Sequence, residues 1–253
     1  QMELSEFFAE NPAVALGFSG GVDSAFLLWA ALHYGAQVEA YYVKTPFQPR
    51  FELEDARKLA GQLGAKMTVL ETDVLDLPQV ACNPADRCYH CKNAIFSLIR
   101  RQAAADGWPV LIDGTNASDD AGDRPGMKAL RELEVRSPLR ECGITKKEVR
   151  RRSREAGLFT WDKPAYACLA TRIPTGRTIT HSLLERVEQS EDALFGLGFT
   201  DFRVRVLEDA ARLQLPEDQL QTALDRREKI RAALAPAFSQ VLLDLEPRKK
   251  EGE

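Results

Sequence analysis

A chain of 253 residues is long enough for one large or two small domains, and 44% hydrophobic with 28% charged residues suits an ordinary globular core. A net charge of −4 supplies no overall basic field for nucleic acid, and no apolar run is long enough to cross a bilayer. Five cysteines are an odd number for a secreted disulfide framework, and the polar start carries no leader pattern, so a cytoplasmic location with thiols used for metal or catalysis is expected.

The first strong signal is an apolar run at 13–16, then Gly17-Phe18-Ser19-Gly20-Gly21-Val22-Asp23-Ser24, then an apolar-periodic run at 25–33. This predicts a buried strand, a glycine turn and a helix. Gly20 and Gly21 allow positive φ and close approach of a ligand to the backbone. The unpaired amides of the helix start favour a phosphate, and Ser19 and Ser24 add hydroxyl donors. Asp23 repels phosphate, so a Mg²⁺ ligand role suits it better. The blander reading is a capped strand–helix turn, but S-G-G-V-D-S after a strand is more specific than a lone Gly-Gly pair. The string is neither a Walker A motif nor G-x-G-x-x-G.

Residues 38–43 predict a second strand, 52–63 a helix ended by Gly64, 66–70 a third strand and 92–105 a helix. Residues 110–113 predict a fourth strand closed by Gly114, and 134–139 a fifth. Strands alternating with helices imply a doubly wound parallel α/β sheet, with ligands beyond the carboxyl ends of the strands. Thr145 and Glu148 form a capping-box pattern that opens a basic helix. Residues 157–180 hold two prolines, Pro164 and Pro174, and no helical period, so they predict a loop with a domain boundary near 175–181. Beyond it, helices are predicted at 182–197 and 217–234, and strands at 202–206, 211–215 and 241–243. The expected organisation is a first domain at 1–175, a smaller α+β domain with an antiparallel sheet at 176–246, and a disordered charged tail at 247–253.

Four clusters carry chemistry. The first is the glycine turn. The second is Cys88-Tyr89-His90-Cys91, a C-x-x-C pair placed just before a helix, beside Arg87 and Lys92. Such a pair serves as half a zinc site, a redox pair or two iron–sulfur ligands, unless the cysteines are incidental. No second C-x-x-C exists, and Cys82 and Cys142, in unpatterned surroundings, are read as structural. The third is Asp113-Gly114-Thr115-Asn116-Ala117-Ser118-Asp119-Asp120, at the ligand edge of the fourth strand or simply an Asx-type turn. The last joins the loop residues Cys168, Thr171 and Arg172 with Arg203 and Arg205, which share one face of an alternating strand. A loop cysteine near a cation is a candidate nucleophile or ligand, and arginines hold phosphate or carboxylate. A buried cysteine in a linker and a solvated strand face are the plainer alternatives.

The string S-G-G-V-D-S resembles the pyrophosphate loop of the PP-loop ATPases, which split ATP between its α and β phosphates and adenylate a substrate. In that group a D-G-T-N segment such as Asp113–Asn116 lies beside the ATP phosphates. The ordered set S-G-G-V-D-S, R-C-Y-H-C-K, D-G-T-N-A-S-D-D, R-S-P-L-R-E-C-G-I-T-K-K-E-V-R, A-C-L-A-T-R-I-P-T-G and F-R-V-R-V is similar to LarE, the ATP-dependent sulfur transferase family of nickel-pincer cofactor synthesis. The likeness covers nearly the whole chain. It implies a Rossmann-like (HUP-type) fold and ATP and Mg²⁺ held by Ser19, Gly20, Gly21, Asp23 and Ser24. Pyridinium-3,5-biscarboxylic acid mononucleotide would be bound through Thr171, Arg172, Arg203 and Arg205, with Glu191 assisting around the sulfur step, and members tend to form homo-oligomers.

The family divides over its sulfur source. In one type a single cysteine gives up its own sulfur. That cysteine aligns one position before Cys168, where this chain has Ala167. In the other, three cysteines hold a [4Fe–4S] cluster whose open iron carries an extra sulfide, a pattern that Cys88, Cys91 and Cys168 match. The cluster, recharged by sulfide or a sulfur donor, is the preferred expectation, with a sacrificial Cys168 left open. A PP-loop tRNA thiolase, an ammonia-using PP-loop amide synthetase and a non-catalytic nucleotide-binding module are the competing readings. The first should show a basic surface, and here only residues 146–154 are dense in cations.

Overall fold

The computed structural model describes residues 2–119 and 124–249. Grouped by contacts, residues 1–80 with 85–163 form one compact unit, and residues 81–84 with 164–253 form a second.

The first unit is built on a parallel sheet. Its strands are β1 (Ala13–Gly17), β2 (Gln37–Lys44), β3 (Lys66–Glu71) and β4 (Leu111–Ile112), in the order β3-β2-β1-β4. Alternation sends side chains to both faces. Val14 and Leu16 of β1, with Val38, Ala40 and Tyr42 of β2, join one core with helix α2 (Val22–His33). Ala15, Tyr41 and Val43 join a second core with helix α5 (Arg87–Ala105). A strand buried on both faces reads as an unbroken apolar run, which is why β1 was legible. Sheet, crossover helices and two cores make the doubly wound α/β fold expected above.

The remaining helices of this unit are α1 (Leu4–Glu10), α3 (Arg50–Leu63), α6 (Arg124–Glu132), α7 (Pro138–Glu141) and α8 (Lys146–Glu155). α3 ends at Gly64, whose φ of 62° gives the left-handed cap that only glycine adopts freely. A short helix α4 (Pro78–Ala81) leads toward α5. Three expectations are corrected here. The α5 helix starts at Arg87 rather than residue 92, because the helix breakers are Pro84 and the left-handed Asn83 (φ 54°), and nothing in R-C-Y-H-C interrupts a helix. The fifth strand is only an isolated parallel bridge between Arg136 and Ile112. Glu134 turns left-handed at φ 56° before it and Pro138 opens α7 after it, so pairing has no room to extend. The fourth strand keeps only Leu111 and Ile112.

The second unit holds α9 (His181–Gly196), β5 (Arg203–Leu207), β6 (Ala210–Gln214), α10 (Glu217–Asp225), α11 (Arg227–Leu234) and β7 (Gln240–Leu243). β5 and β6 form the expected antiparallel hairpin, but β7 runs parallel to β6, so the sheet is mixed. The helical pair α10–α11 returns the chain to the starting end of the sheet, which makes the next strand parallel. The single helix expected at 217–234 is broken at Arg226, which has φ −101° and caps both pieces. Asn83 is pinned to this unit: its Nδ2 donates to the carbonyls of Ile173 and Pro174, and its own carbonyl accepts from the Gly176 amide. In the expected tail, the Arg248 amide bonds the Leu215 carbonyl and its guanidinium bonds Asp201, while residues 250–253 lie outside the described residues.

Candidate active site

β1 delivers the chain to the glycine turn at the carboxyl edge of the sheet. Gly20 has φ +72°, and a Cβ there would lie 3.0 Å from the Ala56 Cβ, so both conformation and space call for glycine. Gly21 is the N-cap of α2 and offers its amides no side-chain cap. Inside the turn Ser24 Oγ receives the Ser19 amide at 3.3 Å and meets Ser19 Oγ at 3.1 Å. The hydroxyls therefore brace the loop while facing the same opening as the helix start.

The Asp113–Asn116 segment lies against that turn. A Cβ on Gly114 would stand 2.8 Å from the Ser24 amide nitrogen, closer than any side chain tolerates. Asp113 is buried and accepts from Ser137 Oγ at 2.6 Å and from Thr115 Oγ1. Burial pushes its carboxyl up, with those two hydroxyls opposing. Asn116 Nδ2 reaches Asp23 Oδ1 at 3.3 Å, and its amide donates to Asp119 Oδ2 at 2.7 Å. Together Gly17, Ser19, Gly21, Asp23, Ser24, Phe96, Asp113, Gly114, Thr115 and Asp119 line a cavity of about 230 Å³. Two motifs ninety residues apart in sequence thus face one space. Asp120 lies outside the described residues.

One residue of this site was not singled out from sequence. Lys146 Nζ pairs with Asp23 Oδ2 at 2.6 Å. Burial raises the Asp23 carboxyl and Lys146 opposes that rise. A signal existed in the sequence: a cation in the first turn of a helix runs against the helix dipole. Asp23, a partly exposed carboxylate rimmed by amide, hydroxyl and carboxylate groups, fits the oxygen-donor chemistry of Mg²⁺.

Cys88 and Cys91 lie inside the first turns of α5, three residues apart and so on one face, both half-buried. Cys82 is exposed, and Cys142 is buried with its thiol pushed up to about 11 by burial and neighbouring glutamates, an inert thiol. Among the described residues no set of three or more Cys, His, Asp or Glu is assembled for a metal. Cys88 and Cys91 alone do not meet the three thiolates that an open-iron [4Fe–4S] cluster requires. Cys168 belongs to the second unit.

In the second unit, Cys168 caps a short helical turn, Leu169–Arg172. Arg172 is 1% exposed and forms a fork with Glu191, Nε to Oε1 at 2.7 Å and Nη2 to Oε2 at 3.2 Å. Those bonds outweigh burial and hold the Arg172 guanidinium above its ordinary range. Its Nη1 donates to the Ala167 carbonyl at 2.9 Å and to Thr171 Oγ1 at 2.8 Å. Glu191 also accepts from the Val204 amide at 3.0 Å and from the Tyr166 hydroxyl, so both carboxylate oxygens are engaged. Arg203 Nη2 donates to the Ala165 carbonyl and Arg205 Nη1 to the Thr171 carbonyl, each at 2.7 Å. The Tyr166 ring packs against both Arg172 and Arg203. Three arginines therefore grip the backbone on either side of Cys168. Burial pushes Arg203 down to about 10, with the like charges of Arg172 and Arg248 adding to it, and its carboxylate partner, Asp201, stands 3.8 Å away.

Fold and cavity define an α/β protein of the Rossmann-like class, with its candidate site at the carboxyl ends of β1 and β4. No family model matches the sequence. An uncharacterized protein of Synechocystis is 38% identical over 219 residues, 86% of this chain and 82% of that protein. The pyridinium-3,5-bisthiocarboxylic acid mononucleotide synthase of Lactiplantibacillus plantarum is 34% identical over 235 residues, 92% of this chain and 85% of that enzyme. An uncharacterized protein of Methanocaldococcus jannaschii is 28% identical over 243 residues, 96% and 93% of the two chains. The chain belongs to the pyridinium-3,5-bisthiocarboxylic acid mononucleotide synthase (LarE) family of sulfurtransferase enzymes. No helix among the described residues is long and apolar enough to cross a membrane.

Proposed function

We propose that this enzyme binds Mg–ATP in the cavity of its first unit, adenylates the carboxylates of pyridinium-3,5-biscarboxylic acid mononucleotide, and replaces AMP with sulfur to give thiocarboxylates. The observation that carries the reading is the meeting of the Ser19–Ser24 turn and the Asp113–Asn116 segment around one cavity. A carboxylate is a poor electrophile. Its oxygen attacks the α-phosphorus, the bond to the bridging oxygen breaks, and pyrophosphate leaves with the electron pair. Sulfur then adds to the acyl carbon, and AMP departs as a stabilised leaving group. The first-turn amides of α2, with Ser19 and Ser24, would hold phosphate oxygens as charge develops. Mg²⁺, held by Asp23, would supply charge neutralisation on the leaving pyrophosphate.

The second unit would hold the mononucleotide. Arg203 is a buried cation whose carboxylate partner, Asp201, stands off at 3.8 Å, which supports an anion-binding role there. Arg172 is already saturated by Glu191, Ala167 and Thr171, and its part is to shape the Cys168 loop. The tRNA reading loses support, because the four arginines of α8 are engaged within the protein. Arg151 and Arg152 pair with Glu148, Arg150 donates to the Trp161 and Lys163 carbonyls, and Arg154 covers the Trp161 ring.

The test is substrate-dependent turnover of ATP. The expected products are AMP and pyrophosphate, formed only with the pyridinium dicarboxylate. ADP as product, or turnover indifferent to that substrate, overturns the reading. The sulfur source is decided by iron and sulfide analysis of anaerobically purified protein and of Cys168→Ala. About four irons per chain, lost in the variant, would assign Cys88, Cys91 and Cys168 to a cluster. Iron-free protein after reconstitution, with Cys168 lighter by one H₂S after turnover, would assign a sacrificial thiol.

A further inference from the structure

Asp23, in the lining of the glycine-turn cavity, forms an ion pair with Lys146. Asp23 lines that cavity, and both of its oxygens are engaged, Oδ2 by Lys146 Nζ at 2.6 Å and Oδ1 by Asn116 Nδ2 at 3.3 Å. Lys146 is held in place independently of that pair. Its backbone amide donates to Ser118 Oγ at 3.1 Å, the Ala117 amide donates to the Ile144 carbonyl at 2.8 Å, and Thr145 caps α8 through the Glu148 amide. The lysine occupies the first turn of α8, where the helix dipole disfavours a cation, so helix stability does not account for it. Its charge is directed instead across 123 positions of sequence to a single carboxylate.

A triphosphate entering this cavity meets the Asp23 carboxylate, and two anions at this range repel unless a cation stands between them. The ammonium already present satisfies the carboxylate in the free protein. A divalent cation arriving with the nucleotide competes for the same oxygen. A lysine side chain is a flexible point charge with three donors and can change partners without moving its helix.

We propose that Lys146 is a positioning residue for the nucleotide reaction and works by charge exchange. It neutralises Asp23 in the free protein, yields the carboxylate to the divalent cation, and turns its ammonium to the phosphates of the bound nucleotide. No covalent bond is made or broken in the exchange. The inference rests on the Mg–ATP reading above and extends it to a residue outside both motifs.

Two substitutions test it in opposite directions. ATP binding is measured calorimetrically in EDTA, and Mn²⁺ binding to nucleotide-free protein by paramagnetic titration. Lys146→Met is expected to weaken metal-free ATP by about tenfold, because Asp23 is left uncompensated, and to tighten Mn²⁺ severalfold, because the competing ammonium is gone. Asp23→Asn is expected to tighten metal-free ATP severalfold, since Lys146 is released to the phosphates, and to abolish Mn²⁺ binding. A merely structural role would weaken every affinity together. Should Lys146→Met fail to fold, Asp23→Asn decides alone. Metal-free ATP affinity unchanged or lowered in Asp23→Asn, or Mn²⁺ affinity unchanged in folded Lys146→Met, overturns the exchange while leaving the nucleotide reading intact. Wild type that binds no ATP, with or without metal, overturns both.

Discussion

Gly20 and Gly35 separate two costs that are usually confounded. Both have positive φ, +72° and +80°, but an added Cβ at Gly35 meets nothing within 4 Å whereas at Gly20 it meets Ala56. Gly35→Ala is expected to cost about 1 kcal/mol from the left-handed backbone alone, and Gly20→Ala about 1–3 kcal/mol more from crowding. Urea unfolding of the two variants gives the difference directly. Equal costs would mean that α3 yields to the extra methyl. The Arg172–Glu191 pair is the other residue-scale case. Removing one partner leaves a buried charge uncompensated, so Glu191→Ala is expected to lose about 3–5 kcal/mol of stability. A loss under about 1 kcal/mol in the same assay would show that the fork is dispensable. Gly20 was legible in the sequence because a glycine in a sharp turn is a local requirement. The Glu191 fork was not, because its partners, Tyr166 and Arg172 of the Cys168 loop and Val204 of β5, are brought to it by two different segments.

At the scale of elements, α8 shows how a basic helix is stabilised from within. Glu148 accepts from Arg151 and from Arg152, and those bonds bring its carboxyl down to about 2 from an ordinary 4.5. A depressed acid stabilises the fold above its unfolded value, and the contribution is lost as pH falls through the folded value. Glu148→Gln is therefore expected to lower stability at pH 7, by roughly 1 kcal/mol given the exposure of the pair. The gap from wild type should close as pH falls from about 4.5 toward 2. A gap independent of pH would assign the loss to packing. Element positions followed from periodicity where one rule applied: β1, α2 and the β5–β6 hairpin are of this kind. The start of α5 escaped because the breakers that set it, Asn83 and Pro84, lie upstream of the cysteine pair, and the fifth strand escaped because its flanks override its side chains. Glu134 and Pro138 limit pairing in a stretch whose side chains alone favour a strand.

At the scale of the molecule, the two units divide the chemistry. The first carries the cavity with Asp23, Asp113 and Lys146, and the second carries Cys168, Arg172, Glu191, Arg203 and Arg205. Hydrogen exchange should reflect that division. ATP is expected to protect amides of residues 17–24 and 111–119, worth about 2.7 kcal/mol at a ligand concentration of a hundred times Kd. Glu191→Ala should instead speed exchange across residues 165–172 and 203–207. Protection by ATP confined to the second unit would misplace the nucleotide site.

The sequence by itself determined what local rules govern. The glycine turn, the alternating strands, the Thr145 helix cap and the C-x-x-C spacing each depend on residues a few positions apart, although Glu148 pairs with Arg151 and Arg152 rather than completing the expected capping box. Order along the chain was enough to expect the sheet and the family. Only the tertiary structure decided which charges meet. Lys146 reaches Asp23 from the far end of the unit, Gly114 closes on Ser24, Arg172 closes on Glu191, and β7 joins its sheet parallel rather than antiparallel. An oddly placed residue such as Lys146 can be noticed in the sequence, but its partner cannot, because the pairing of distant residues follows from how helices and strands pack, not from the identity of either residue alone.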